Sequence, residues 1–298
     1  MRHPQQTLLV YVSVMDTEND EKLAAWRLSV LVGRIYTIQE RGDESFPAPA
    51  PKSRLADTDS KLDPFPVTNA VQQLLAVSGD NLHAVALLLH KAEAHQPFAP
   101  YTLIRASLEN TGFAMWLLSG RSRQGIALNT LRLEWENKKN RVVAFPKDDS
   151  ADESWAERRE RLILEAGDRF GLMPKAIREK PLSSLAVETG SEYLGLAPVM
   201  LSAWKASSGA AHGRTWATLA LSDHELVAGT ETQSGASYRA TGNTPTLASL
   251  LYVAVAAHQA LEEGFKAMLE ARSAEVKDDA QQAIGELYVA CSIGDETR

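Results

Sequence analysis

The chain has 298 residues, of which 44% are hydrophobic and 23% are charged, so it can build one large helical domain or two smaller ones. Its formal net charge of -7 argues against a protein that coats nucleic acid, although it is compatible with a local basic groove. Its single cysteine, Cys291, excludes an intramolecular disulfide and a thiolate metal site, and this favours a reducing cytoplasm.

The first part of the chain is predicted to be a helical arm, residues 1–42, followed by a linker, residues 43–66. The arm has apolar residues at roughly helical spacing: Leu23, Trp26, Val30, Gly33 and Ile38. The linker holds five prolines among polar residues, which favours a mobile segment over an ordered surface excursion. The apolar run 7–14 is too short to cross a bilayer and no cleavage site follows it, so no membrane or export segment is predicted.

Residues 67–272 are predicted to form the core domain, and residues 273–298 a short helix or a flexible tail. Apolar periodicity predicts one broken helix or two over 67–95, with Asp80 as an N-cap, and further helices over 101–119, 121–143, 155–170, 182–194, 199–221 and 244–271. Residues 222–243 are rich in Gly, Thr and Ser, which predicts a small β-hairpin or flap. The fold is therefore predicted to be all-α, an antiparallel helical bundle with this insertion.

Arg105 and Glu109 are the only charged residues of the apolar stretch 101–119. Side chains four residues apart share a helix face, so the two can meet. A charge among apolar neighbours must be paired, and two interpretations stay open: a structural ion pair that fixes the bundle register, or part of a site. Gly112 continues this face at a point where another helix or a ligand can approach closely.

A second row recurs every fourth residue along the predicted helix 199–221: Trp204, Ser208, His212 and, less strictly, Trp216. Gly209 and Gly213 each lower helix stability by about 1 kcal/mol relative to alanine, which points to close packing or to function. His212 has three open interpretations: a core histidine bonded to Ser208 or Glu109, an acid–base group oriented by Glu109, or the base of a Ser208 nucleophile.

Two further groups of residues are candidates for a metal site and for an RNA surface. Four potential metal ligands lie along the predicted helix 80–95: His83, His90, Glu93 and His95. His90 and Glu93 are three residues apart, which leaves a weak metal site open, but a solvated or interfacial helix end is preferred. A basic patch around Trp135 is diluted by acidic residues and predicts an ordinary charged helix face rather than an RNA surface: Arg132, Lys138, Lys139 and Arg141. No phosphate loop, dinucleotide fingerprint or zinc spacing occurs, so no cofactor and no metal are predicted.

The pattern as a whole resembles a group of uncharacterised all-helical bacterial proteins common in actinobacteria and, more distantly, the HEPN superfamily of helical bundles. The residues that carry the resemblance are Arg105 and Glu109 on a helix ending in Trp116-Leu117-Leu118, and then Trp204, Ser208, His212 and Gly213. Many HEPN proteins are metal-independent ribonucleases of toxin–antitoxin and phage-defence systems, and others are inactive binding modules. Active members have arginine, four to six residues and then histidine, whereas this chain has Lys205, six residues and His212.

The resemblance implies that His212 acts as general base or acid on RNA, that cations stabilise the phosphorane charge, and that the protein is a homodimer. The candidate catalytic residues are His212, Glu109, Arg105 and Ser208, and the candidate substrate-binding residues are Lys205, Arg214, Trp204 and Trp216. The alternative is a non-catalytic helical module that binds a protein or a nucleotide. In that alternative Arg105, Glu109 and His212 hold the core, so the sequence leaves both an enzyme and a binding protein open.

Overall fold

The computed structural model describes residues 18–42, 46–93, 96–145, 154–232 and 235–270. Within these ranges the chain forms eleven helices and one two-stranded sheet. The helices are α1 (Glu18–Gly42), α2 (Arg54–Leu62), α3 (Val67–His90), α4 (Ala99–Leu118), α5 (Arg123–Ala144), α6 (Trp155–Asp168), α7 (Pro174–Ile177), α8 (Ser183–Tyr193), α9 (Val199–Ala211), α10 (Thr215–Leu221) and α11 (Thr244–Glu270). None of these helices is long and apolar enough to cross a membrane.

The sheet is the hairpin predicted for residues 222–243. Its strands are β1 (Ser222–Leu226) and β2 (Tyr238–Gly242), and they run antiparallel with Ser222 opposite Gly242 and Leu226 opposite Tyr238. Most of its side chains are exposed. The prediction of an all-α protein with a small β insertion is therefore confirmed.

Several predicted helices differ in their details. The segment 67–95 contains one continuous helix, α3, so the prediction of Asp80 as an N-cap is wrong, because Asp80 lies in its interior. The short helix α7 was not predicted, since a four-residue element with proline at its first position carries no periodicity. The apolar run 7–14, His95, and the tail 273–298 with Cys291 lie outside the described residues.

The chain divides into two compact units built from non-contiguous segments. The first unit comprises the described residues within Met1–Glu44, Ser78–Leu108 and Ser202–Ala256. The second comprises those within Ser45–Val77, Glu109–Leu201 and Ala257–Arg298. The segment boundaries predicted at residues 42, 66 and 272 stay a prediction.

Helix α1 belongs to the first unit and buries one face. The buried side chains, each at most 6% exposed, are Ala24, Leu28, Leu31, Ile35 and Ile38. Four of the five residues of the predicted stripe instead lie outside this face: Gly33 is exposed, and Leu23 is 39%, Trp26 62% and Val30 38% exposed. The predicted stripe is therefore largely wrong. The helix is apolar on two sides, and the side with more aliphatic residues faces the core, since burial stabilises in proportion to apolar area.

The predicted mobile linker is wrong over residues 46–66. Helix α2 lies inside it, begins after the N-cap Ser53, whose hydroxyl accepts from the Ala56 N–H, and buries Leu55 and Leu62. The backbone N–H of Ala50 donates to the carbonyl of Leu269 at 2.7 Å, which ties the segment to α11 within the second unit. The prolines flank this helix and do not interrupt it. A proline-rich composition therefore did not reveal that the segment contains a partly buried helix.

Candidate functional site

Arg105 of α4 lies against α9 in the first unit. Its Nε donates a hydrogen bond to the hydroxyl of Ser208, with 3.3 Å between Nε and Oγ. Its guanidinium carbon lies 6.0 Å from the centre of the Trp204 ring, at the outer range of a cation–π contact. The structure thus brings together three of the predicted site residues, and we call Arg105, Ser208 and Trp204 the Arg105 cluster.

Helix α9 ends at Ala211 instead of continuing to Leu221. Gly213 has a φ of +62°, its N–H donates to the carbonyl of Ala210, and the N–H of Arg214 donates to the carbonyl of Gly209. These two bonds make up the Schellman motif, in which a left-handed glycine terminates a helix. The prediction of one helix over 199–221 is therefore wrong, because Gly213 ends α9 and the chain restarts as α10.

The break in the helix separates the predicted row of four residues. His212 lies in the turn after α9 and is exposed, as are Lys205 and Arg214. Trp216 lies on α10, so the prediction that it continues the row is wrong. A Cβ atom on Gly209 would lie 2.5 Å from Cζ2 of Trp216, which means that the indole fills the space beside this glycine. Both glycines of the row therefore have a structural explanation.

Tyr101 joins α4 to the end of α10 in the first unit. Its hydroxyl donates to the carbonyl of Leu221 at 2.7 Å, and its side chain is fully buried. Burial raises the pKa of Tyr101, and the nearby carboxylate of Asp223 raises it further, so the phenol remains a donor at neutral pH. Tyr101 thereby fixes the position at which α10 passes into β1.

Glu109 lies on α4, one helical turn beyond Arg105, and is half-buried. It belongs to the second unit, whereas His212 belongs to the first. Its predicted role as the carboxylate that orients His212 stays a prediction.

The space beside Gly112 is occupied by helix α8 within the second unit. A Cβ atom on Gly112 would lie 2.8 Å from Cα of Val187, and one on Gly190 would lie 2.6 Å from the carbonyl oxygen of Gly112. Of the two open interpretations of this glycine, a close helix or a ligand, the structure shows the helix.

The predicted basic patch is a network of internal contacts in the second unit. Lys138 Nζ lies 2.6 Å from a carboxylate oxygen of Glu160 and 3.9 Å from the centre of the Trp135 ring, and Arg178 lies over the same ring and also pairs with Glu160. The hydrogen bond from Lys138 lowers the pKa of Glu160. Arg132 donates to the carbonyl of Ala176. These cations are engaged by neighbouring groups of the same unit, as expected of a charged helix face.

Helix α11 carries a polar row that was not among the predicted site residues, although the helical periodicity predicts His258 on the inner face. His258 and Glu262 are 4% and 7% exposed, and Lys266 Nζ lies 2.6 Å from a carboxylate oxygen of Glu262. Burial lowers the pKa of His258 to about 4, against the attraction of Glu262, so the imidazole is neutral at pH 7. The four-residue spacing on an apolar helix was the available signal, because it is the same signal that singled out Arg105 and Glu109.

In the described part of the chain, no group of three or more His, Cys, Asp or Glu residues is arranged to hold a metal ion. No protein-family model, curated protein or solved structure matches the chain. The resemblance to HEPN proteins and to actinobacterial helical proteins stays a prediction.

Proposed function

We propose that the chain is a non-catalytic helical module that acts by binding another protein, and that the Arg105 cluster holds its helices together. The observation that carries this proposal is the position of Arg105: its side chain contacts Ser208 and Trp204, both on α9 of the same unit. A half-buried guanidinium in such contacts stabilises the packing of α4 on α9.

The position of His212 also supports a structural interpretation. His212 is the exposed C-cap residue of α9. The C-terminal end of a helix carries partial negative charge, which disfavours a phosphate or a developing oxyanion and favours a nearby cation. Arg214, the next cation along the chain, therefore complements this end of the helix without any substrate.

Large apolar side chains left in solvent support a binding role. In the first unit Trp216 is 55% and Leu219 is 64% exposed on α10, and Tyr238 is 60% exposed on β2. Leu226 is paired opposite Tyr238 in the hairpin, so the two side chains lie on the same face of it. Exposed aromatic and aliphatic groups of this size on neighbouring segments are typical of protein-binding surfaces.

A second candidate is metal-independent RNA cleavage, favoured by one observation. Lys205 lies on α9 and His212 in the turn directly after it, and both are exposed, as is Arg214. Residues 205–214 contain no acidic residue, although the chain as a whole has a net charge of -7. In this candidate His212 removes the proton of a ribose 2′-hydroxyl, and Lys205 and Arg214 stabilise the charge on the phosphorane.

Incubation with single-stranded RNA in the presence of a chelator separates the two candidates. The module predicts no cleavage above buffer by the wild type, by His212→Ala or by the control His224→Ala, which removes an exposed histidine of the hairpin. The ribonuclease predicts cleavage by the wild type and the control, with a loss of about 10²-fold or more in His212→Ala. That second pattern would contradict the proposed function.

A further inference from the structure

Helix α1 carries a second apolar stripe that faces solvent. Leu23, Trp26 and Val30 are all more than a third exposed, and their spacing of three and four residues places them on one side of the helix. The opposite side is the one that packs into the first unit. Trp26 is 62% exposed in the middle of the helix, and its packing within the first unit does not explain why a large aromatic side chain occupies this position.

Gly33 continues this stripe, one turn beyond Val30. It is exposed, and a Cβ atom built on it would meet nothing within 4 Å. Its backbone is helical, so neither sterics nor a left-handed conformation within the chain requires glycine here. Glycine in a helix interior costs about 1 kcal/mol relative to alanine. A glycine of this kind is explained when another helix approaches closely at that point.

The polar groups along the stripe are already satisfied within the helix. The hydroxyl of Ser29 donates to the carbonyl of Trp26 at 2.7 Å, and the hydroxyl of Thr37 donates to the carbonyl of Gly33 at 3.3 Å. A partner that covers this face therefore leaves neither hydroxyl without a hydrogen bond, which removes the usual penalty for burying serine and threonine.

We propose that α1 pairs antiparallel with the α1 of a second copy of the chain. Trp26 and Gly33 are seven residues, about 10.5 Å, apart along the helix axis. A two-fold axis midway between them lays each Trp26 over the Gly33 of the partner copy, so that the largest side chain meets the smallest position twice. Such self-complementarity is the requirement of a two-fold interface, and this stripe contains both halves of it.

The charges that flank the stripe are compatible with this arrangement. Antiparallel pairing brings Asp20 near Arg41 of the other copy, an attraction that occurs twice, and brings Arg27 near Arg34, a repulsion that also occurs twice. These exposed pairs offset one another, each being worth less than about 1 kcal/mol. The apolar and steric match at Trp26 and Gly33 therefore decides the pairing. It uses different residues from the Arg105 cluster and the hairpin, and it does not depend on their proposed roles.

Sedimentation of the full chain over about 1–100 µM tests the pairing, since weak dimers dissociate in this range. The wild type is expected to form a dimer. Trp26→Glu and Gly33→Leu are each expected to weaken the dimer at least about thirtyfold, the usual effect of losing a central aromatic contact. Gly33→Leu is the sharper variant, because the structure has open space for its side chain and the monomer should fold at least as well as the wild type. Met173→Glu, which changes a residue of the second unit that is 71% exposed, is the control and should leave the dimer intact.

Two results overturn the pairing. One is a wild type that stays monomeric at every concentration. If that monomer dimerises only after removal of residues 1–17, the occupant of the stripe is the chain's own N-terminal segment instead. The other is a dimer that both α1 variants leave unchanged while circular dichroism shows them to be folded.

Discussion

Burial differs sharply between His212, a candidate site residue, and His258, a core residue. His212 is exposed in the turn after α9, whereas His258 is 4% exposed inside the second unit. An imidazole that is desolvated in this way loses much of its affinity for a proton, and burial lowers the pKa of His258 to about 4. The histidine whose pKa is lowered by burial is therefore not the one that the sequence motif singled out.

The free energy of unfolding should fall as the pH decreases from about 6.5 towards about 4, because the unfolded chain binds a proton at His258 in this range and the folded chain does not. The loss is at most about 3 kcal/mol between the two pKa values. Urea denaturation of the wild type and of His258→Gln at several pH values checks this. The variant should show a flatter dependence above pH 5, where most carboxylates remain ionised.

The control for this measurement is His224→Gln, which removes an exposed histidine of β1. It should keep the pH dependence of the wild type. Equal slopes for the wild type and His258→Gln would show that the imidazole is protonated equally in the folded and unfolded states.

Glycines determine how the helices meet and where one of them ends. Gly112 and Gly190 allow α4 and α8 to cross at backbone contact, and Gly213 ends α9. Each of these positions follows from a different property of glycine, the missing Cβ in the first two and the left-handed conformation in the third. Alanine should therefore lower the free energy of unfolding at these glycines and raise it at a helical glycine that has open space beside it.

Gly190→Ala should lower the free energy of unfolding by about 1–3 kcal/mol, because its Cβ would meet the backbone of α4, which cannot move aside easily. Gly264→Ala is the matched control in α11 of the same unit, where a Cβ would meet nothing within 4 Å. It should stabilise the protein by up to about 1 kcal/mol through helix propensity. Chemical denaturation of the two variants checks the difference, and equal effects would contradict the close crossing.

Gly213→Ala should destabilise the protein by about 1 kcal/mol, because alanine is strained at positive φ. Gly213→Asn should cost less, since asparagine tolerates this conformation better than alanine does. A helix that continued through residue 213 would instead be stabilised by alanine. The sign of the change in unfolding free energy therefore distinguishes the observed turn from the continuous helix expected from the sequence.

At the scale of the whole molecule, the helical class and the hairpin were predictable, because apolar periodicity and the Gly- and Thr-rich stretch 222–243 are local signals. Of the candidate site residues, the structure brings Arg105 into contact with Ser208, whereas the pairing of Glu109 with His212 stays a prediction. Neither the buried face of α1 nor the order of residues 46–66 was predictable from composition. Both depend on which apolar side chains the rest of the unit covers, and this is tertiary information.

The end of α9 was missed for a related reason. Glycine has a low helix propensity, but it occurs both in helix interiors and at helix ends. Only the hydrogen bonds made by the N–H groups of Gly213 and Arg214 show that the helix ends here. The prediction of a row on one helix face required an unbroken helix through Trp204, Ser208, His212 and Trp216. Its last member therefore fell on another element, and His212 came to lie in a turn.

A double-mutant cycle on Arg105 and Ser208 tests whether the Arg105 cluster stabilises the fold. Urea denaturation of the wild type, Arg105→Ala, Ser208→Ala and the double variant gives the coupling free energy between the two side chains. We predict that Arg105→Ala lowers the free energy of unfolding by about 1–2 kcal/mol, and that the coupling is about 0.5–1 kcal/mol. Lys205 is an exposed cation on α9, the helix that carries Ser208. Lys205→Ala should change the free energy of unfolding by less than about 0.5 kcal/mol. An Arg105→Ala protein as stable as the wild type, with no coupling to Ser208, would contradict the account.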